Sequence, residues 1–485
     1  MKIVYVPLDD RPCNTNFAKD LFNHDELEIK SFNSLNYKKN PTDTELVKEF
    51  LIKECKDADC LVLSVDMLVY GGLVPSRIHN DSFDLLKERL NVIKELKKNN
   101  STLTIYAFGC IMRCPNYSSD DEEPDYYALY GKQIHDLGEA IHLNNKENIE
   151  KYEKQIDSNC LIDYKNRRKI NLNLNLETLK LVLENYIDEL VIPQDDSTEY
   201  GFAAMDRNVV KENIHKFNLE NKVMSYPGAD EVNLSLVSRY LTKNKNINIY
   251  PYYFNDEAKN IIPLYEGGHL YDSINSHIKS CGCNVSSYEE SDIVLIVTSP
   301  TNNMLEAWDQ NLNTKDYQDR NIEKIVAVID KCLQDNKIIT IGDNAYANGG
   351  DLKVLELLNE NKLLMKIHGY AGWNTSANTM GTALAQGVNS FLYSTNKDFL
   401  LSRYIEDLGF CASVRKIVTD SLPKEMDYFD VKETDGLAAQ RVLEELNMFV
   451  EKNMSSIKKS TRIFSVKLPW KRMFEIDLKV KYINE

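Results

Sequence analysis

Two adjacent carboxylates, Asp195 and Asp196, close a short apolar run in the stretch LVIPQDDSTEYG (190–201) and lead into a polar loop. Side chains alternate in direction along an extended chain, so neighbouring aspartates just beyond a strand face different surroundings. That is how one carboxyl can stay ionised while the other holds a proton, the arrangement needed for acid–base chemistry. An isolated DD reads more plainly as a helix cap beside a solvated carboxylate. This pair is one of a series of polar phrases that each follow an apolar run: PLDDRPCN (7–14), SVDMLVYGGLVPSR (64–77), MRCP (112–115), YPGADE (226–231), VTSPTNN (297–303), IGDNAYANGGD (341–351) and GYAGWNTSANTMG (369–381).

Each phrase offers groups suited to a polar substrate, and each has a structural reading beside it. Asp9 and Arg11 form either an ion pair that organises a loop or a donor fork for a carboxylate or a sugar hydroxyl. Asp66, Tyr70 and Arg77 surround the pair Gly71-Gly72, which permits a tight turn or close approach of backbone to a ligand. Asp230 and Glu231 open a helical pattern, where the dipole favours carboxylates in any case. Asp343 and Asn344 supply a carboxylate and an amide. Trp373, Asn374 and Asn378 are expected to stack on a sugar ring and bond its hydroxyls, unless Trp373 packs inward and Asn374-Thr375 caps a helix.

The elements that must position these groups alternate short apolar runs with helical patterns. The strands expected are Ile3–Val6, Leu61–Ser64, Leu103–Phe108, Leu190–Ile192, Val223–Ser225, Ile247–Tyr253, Ile293–Val297, Ile338–Ile341 and Lys366–Gly369. Such alternation implies parallel sheet with crossover helices, whose functional groups gather at the carboxyl ends of the strands. A (β/α)8-barrel-like catalytic domain over 1–390 places all these phrases around one pocket, and two doubly wound sheets fit the same count. Residues 116–180, polar and acidic with DDEE at 120–123, read as a helical insertion. Residues 391–485 read as a mostly helical C-terminal region that ends in strands.

Composition narrows the chemistry. A net charge of −16 with no basic stripe argues against a nucleic-acid partner. No apolar run is long enough to span a bilayer, and MKIVYVPLDDRP is expected to form a first strand rather than a signal peptide. Ten cysteines without a secretory signal point to reduced thiols in a cytoplasmic protein, and the lack of zinc spacing means that no structural metal is expected. The absence of G-x-x-x-x-G-K-[ST] and of G-x-G-x-x-G after the first strand argues against a nucleotide, and no cofactor is expected. No G-x-S-x-G elbow or histidine triad is present. Carboxylates that act with few histidines suit glycosyl transfer better than acyl transfer.

At PLDDRPCN, YGGLVPSR, QDDSTEYG, PGADE, GDNAYANGGD and GYAGWNTSANTMGTALA the sequence resembles the bacterial family DUF4127, over essentially the whole chain. That resemblance implies no activity. At the level of a site, QDDS, GDNAY and GWNT look like the aspartate pair and sugar-holding loops of O-GlcNAcase and hyaluronidase-type hexosaminidases. This likeness implies substrate-assisted, retaining hydrolysis of an N-acetylamino sugar or small glycoside. Asp195 would polarise the acetamido group and Asp196 would act as acid and then base. Two other readings stay open: a metal-dependent hydrolase or lyase with Asp9, Asp66, Asp195 and Asp343 as ligands, and a non-catalytic sugar-binding protein.

Overall fold

Apolar strands that must bury both faces assemble into parallel sheet, and this chain builds two such sheets. The computed structural model describes residues 1–310 and 314–483. The chain divides into two units: Met1–Asn233 with Tyr265–Gly268, and Leu234–Leu264 with His269–Glu485. The region from residue 391 onward lies within the second unit.

In the first unit, β1 (Lys2–Val6), β2 (Glu28–Ser31), β3 (Cys60–Ser64), β4 (Thr104–Phe108), β5 (Glu189–Val191) and β6 (Val223–Met224) form an all-parallel sheet in the order β2-β1-β3-β4-β5-β6. β1 therefore has its successor on one side and β3 on the other, which is the crossing point where open α/β sheets open a crevice at their carboxyl ends. Val4, Val6, Leu61, Leu63, Ile105 and Leu190 are fully buried in its core.

In the second unit the strands are β7 (Asn248–Tyr253), β8 (Asn284–Val285), β9 (Ile293–Thr298), β10 (Leu305–Glu306), β11 (Ile338–Asp343), β12 (Tyr346–Ala347) and β13 (Gly369–Ala371). Five of them pair in parallel as β13-β11-β9-β7-β8, and β10 pairs with β12. Counted from its own first strand, this sheet repeats the order of the first. Two further strands, β14 (Thr461–Lys467) and β15 (Asp477–Tyr482), close the chain as an antiparallel pair with a bulge between Ile463 and Ser465.

The parallel α/β character expected from the sequence is present. Among the described residues the strands pair in the two orders given above, and a closed eight-stranded barrel is not shown. Two strands of the main sheets escaped the sequence reading for a physical reason: β2 and β8 are edge strands, short and largely solvated, so they lack the apolar run that marks a buried strand. β13 runs Gly369–Ala371, while the sequence places this strand at Lys366–Gly369. The insertion after β4 is helical, with helices Tyr127–His142, Lys146–Glu153 and Ser158–Leu183.

Gly71 shows how tightly the loops are specified. It ends the helix Val65–Tyr70 in the left-handed region at φ 83°, and its amide bonds back to that helix. A β-carbon there would lie 2.3 Å from the Thr42 carbonyl oxygen. The glycine pair thus makes a turn against neighbouring backbone and starts the helix Leu73–Ile78, which carries Arg77. Gly71→Ala is expected to destabilise the protein by roughly 1–3 kcal/mol, read as a lowered urea midpoint. An unchanged midpoint would show that the Thr42 segment moves aside freely.

Candidate active site

The site grows out of the first sheet because strand pairing continues past the regular strands. The Gly109 amide bonds the Val191 carbonyl at 3.1 Å, Ile111 the Pro193 carbonyl at 2.9 Å, and Gln194 the Tyr226 carbonyl at 3.1 Å. Isolated parallel bridges join Ile111 to Gln194 and Gln194 to Pro227. The loops after β4, β5 and β6 are thereby held side by side, and Arg113, the Asp195–Asp196 pair and Asp230 emerge from one edge.

Arg11 stands between two buried carboxylates. Its Nε and Nη2 donate to Asp9 Oδ2 at 3.0 and 2.7 Å, and its Nη1 and Nη2 donate to the two oxygens of Asp230 at 3.1 and 2.6 Å. Asn14 Nδ2 bonds Asp9 Oδ1 at 2.9 Å and Asp230 Oδ1 at 3.0 Å. One guanidinium shared by two buried carboxylates leaves a surplus of negative charge, and burial pushes Asp230 up to about 7 against the pull of Arg11. Glu231, fully buried, accepts the Ala229 amide at 3.0 Å across the turn at Gly228.

Asp66, just after β3, accepts the Cys110 amide at 2.9 Å and is raised by burial to about 6. Tyr70 does not join these groups by hydrogen bond. Its hydroxyl donates to Asn171 Oδ1 at 3.1 Å on the long insertion helix, and the same oxygen lies 2.8 Å from His79 Nε2.

The aspartate pair is flanked by two arginines. Arg77 Nη2 donates to Asp195 Oδ2 at 2.5 Å. Arg113 Nη1 donates to Asp196 Oδ2 at 2.8 Å and lies 3.9 Å from Asp195 Oδ2, so both carboxylates approach one nitrogen. The insertion supplies two more acids. Glu122 Oε2 accepts from Arg77 Nη1 at 3.0 Å and from Arg113 Nη2 at 3.2 Å, and Glu123 Oε1 accepts from Arg113 Nε at 2.7 Å. Four carboxylates therefore share two guanidiniums. Asp196 is pushed up to about 6, first by burial and next by the charge of Asp195, with Arg113 opposing. Its backbone is also unusual for a side-chain-bearing residue, at φ 43°.

The remaining candidates belong to the second unit and are committed to its internal bonding. Asp343, at the end of β11, accepts from Thr298 Oγ1 at 2.5 Å, Tyr370 Oη at 2.7 Å and the Asp351 amide at 2.8 Å, and has no solvent exposure. Trp373 is buried rather than displayed, and its indole Nε1 donates to Thr382 Oγ1 at 3.1 Å. The apolar ring packs inward because the next helix provides a hydroxyl for its single donor. Asn374 turns the chain at φ 51°, and Thr375 caps the helix Ser376–Leu392 through the amide of Asn378. Asn344 bonds the Gly342 carbonyl through Nδ2 at 3.0 Å, and Asn378 bonds Thr375 Oγ1 at 3.2 Å. The Trp373 ring, expected from the sequence to stack on a sugar, is thus directed inward, and Asn344 and Asn378 each use their amide nitrogen within the second unit.

The sequence does not mark Arg113, Glu122, Glu123 or Asn14 as site residues. MRCP at a strand end and DDEE in the insertion are the signals for the first three, and PLDDRPCN for Asn14. What joins Arg113 to Glu122 and Glu123 is a contact between a loop and an insertion, which spacing cannot reveal.

Among the described residues, three groups able to share a metal ion converge at His135, Asp136 and Glu139 on the insertion helix, and no such trio of ligand atoms forms among the strand-end carboxylates. None of the ten cysteines is in a disulfide, and no described helix is long and apolar enough to cross a membrane.

A family model described as "Protein of unknown function (DUF4127)" matches residues 3–479. No curated protein matches the chain. A solved structure titled "Crystal structure of a galactofuranose binding protein" aligns over 83% of this chain and 98% of its own at 10% identity, with a TM-score of 0.19, too low to carry any argument. The hexosaminidase likeness finds no support in these comparisons.

Because Asp230 holds its proton to about 7 when buried and an unfolded aspartate releases it near 3.8, the folded state binds the extra proton between those values. Stability from this group is full below about pH 4 and is lost as pH rises towards 7. Asp230→Asn is expected to flatten that part of the wild-type decline in urea midpoint against pH; an equally steep decline in the variant would assign the slope to other groups.

Proposed function

From its membership of the DUF4127 family, which assigns no activity, the chain inherits no reaction, and we propose on its site geometry that it is a glycoside hydrolase run by the Asp195–Asp196 pair. What supports this reading is one asymmetry: the buried Arg77 donates to Asp195 at 2.5 Å, while burial and the neighbouring charge of Asp195 raise Asp196 to about 6. Two neighbouring carboxyls in different surroundings can divide the roles of stabilising a positive centre and carrying a proton.

In this mechanism Asp196 protonates the leaving glycosidic oxygen and then takes a proton from water. Asp195, held by Arg77, orients the substrate group that attacks the anomeric carbon, or stabilises the positive charge that develops there. For an N-acetylamino sugar that group is the acetamido oxygen, which makes the reaction retaining and substrate-assisted. Asp9, Arg11 and Asp230 bind sugar hydroxyls or brace the loop that does. The free cysteines and the lack of a membrane-spanning helix among the described residues fit a cytoplasmic setting.

The metal-dependent reading is weaker on the same geometry. Of its four proposed ligands, Asp9 is held by Arg11 and Asn14, and Asp343 is saturated by donors in the second unit.

A screen of chromogenic glycosides on the purified chain is expected to find turnover that falls at least about 100-fold in Asp196→Asn, with folding intact by circular dichroism. The wild-type rate should decline as pH rises past about 6, because the acid must enter protonated, and chelators should leave it unchanged. Undiminished turnover by the variant, or loss of activity on chelation, sinks the proposal.

A further inference from the structure

We propose that Arg77 and Arg113 form a receptor for an anionic group of the substrate, and that the acidic segment 120–123 is its internal, displaceable occupant. The inference rests on the reading that substrate binds at the Asp195–Asp196 site, though not on which bond is broken there.

The two arginines come from different strand ends, Arg77 from the helix after the Gly71-Gly72 turn and Arg113 from the loop after β4. Both are buried, and both bring a nitrogen to the same oxygen, Glu122 Oε2, at 3.0 and 3.2 Å. Two guanidiniums converging on one oxyanion is the geometry by which carboxylates and phosphates are recognised. The occupying acids lie in a stretch without regular helix or strand, between Met112 and the helix beginning at Tyr127. That stretch is fastened by ion pairs: Asp121 to Lys38, Glu122 to both arginines, and Glu123 to Arg113 at 2.7 Å and to Arg77 at 3.5 Å. Glu123 Oε2 is buried with no hydrogen-bond partner.

The charge balance makes the occupant displaceable. With the segment in place, Asp195, Asp196, Glu122 and Glu123 press four carboxylates onto two cations. Exchanging two glutamates for one substrate anion lowers that excess, releases Glu123 from its burial and keeps both arginines paired. The substrate implied is an acidic sugar or a sugar phosphate rather than a neutral glycoside.

The test uses the full chain and binding alone. D-glucuronate, inorganic phosphate and glucose are titrated calorimetrically into wild type, Glu122→Gln/Glu123→Gln and Arg113→Gln, and hydrogen exchange over 116–125 is followed by mass spectrometry. The double variant is expected to bind glucuronate or phosphate roughly tenfold tighter than wild type or more, with no binding of glucose. Binding should be lost in Arg113→Gln, and the anion should raise exchange over 116–125 in wild type, a readout that needs no substitution. Whichever anion binds more tightly assigns the class as carboxylate or phosphate. No anion binding to the double variant, binding unaffected by Arg113→Gln, or an exchange rate unmoved by saturating anion overturns the proposal. Asp196→Asn should still bind the anion, so failure of the hydrolase reading and failure of this one give different results.

Discussion

Buried arginines held among too many carboxylates are the constraint on which the rest of the first unit depends. A guanidinium is costly to bury unless its donors are met, and a carboxylate is costly to bury unless something neutralises it. Arg11 meets both demands for Asp9 and Asp230, while Arg77 and Arg113 meet them for the Asp195–Asp196 pair and for Glu122 and Glu123. In each group acids outnumber cations, and burial, with a neighbouring aspartate's charge adding to it, raises Asp230 to about 7 and Asp196 to about 6. Carboxyls raised towards neutral pH are what an acid–base site requires.

That electrostatic arrangement depends in turn on backbone. The bridges through Ile111, Gln194 and Pro227 extend the sheet by a few residues beyond its regular strands, so three loops leave the edge in register. The turn at Gly71, closed against Thr42, sets the direction of the helix that carries Arg77. Neither feature is chemical in itself. Together they decide which charged side chains share a dielectric environment and which face water.

The second unit repeats the strand order of the first and bonds its strand-end polar groups differently. Asp343 is surrounded by donors, and Asp407 accepts the Gly372 amide at 2.9 Å while paired with Arg403. Asp407 comes from a π-helical stretch, Tyr404–Val414, and is itself raised to about 7 by burial. Its carboxylates serve to tie β11, β13 and the following helices together. Similar phrases at similar positions in two parallel sheets thus serve folding in one case and a candidate reaction in the other.

Much was legible in the sequence because it follows from local physics. Buried parallel strands need continuous apolar runs, and polar phrases after them mark carboxyl ends, so the strands, the helical insertion and the Asp195–Asp196 pair can be read without coordinates. The edge strands β2 and β8 could not be read in that way, since solvated edges carry no apolar signature. Nor could the division into two sheets, because alternation of strand and helix is common to barrels and open sheets, and closure depends on pairings distant in sequence. The same limit explains Trp373, whose inward packing was settled by a hydroxyl at Thr382, and Arg113, whose partners come from the insertion and from another strand end. Sequence alone determined which residues are available at strand ends; tertiary structure decided which of them meet, because charge pairing in a buried site is a property of distance in space and not of spacing along the chain.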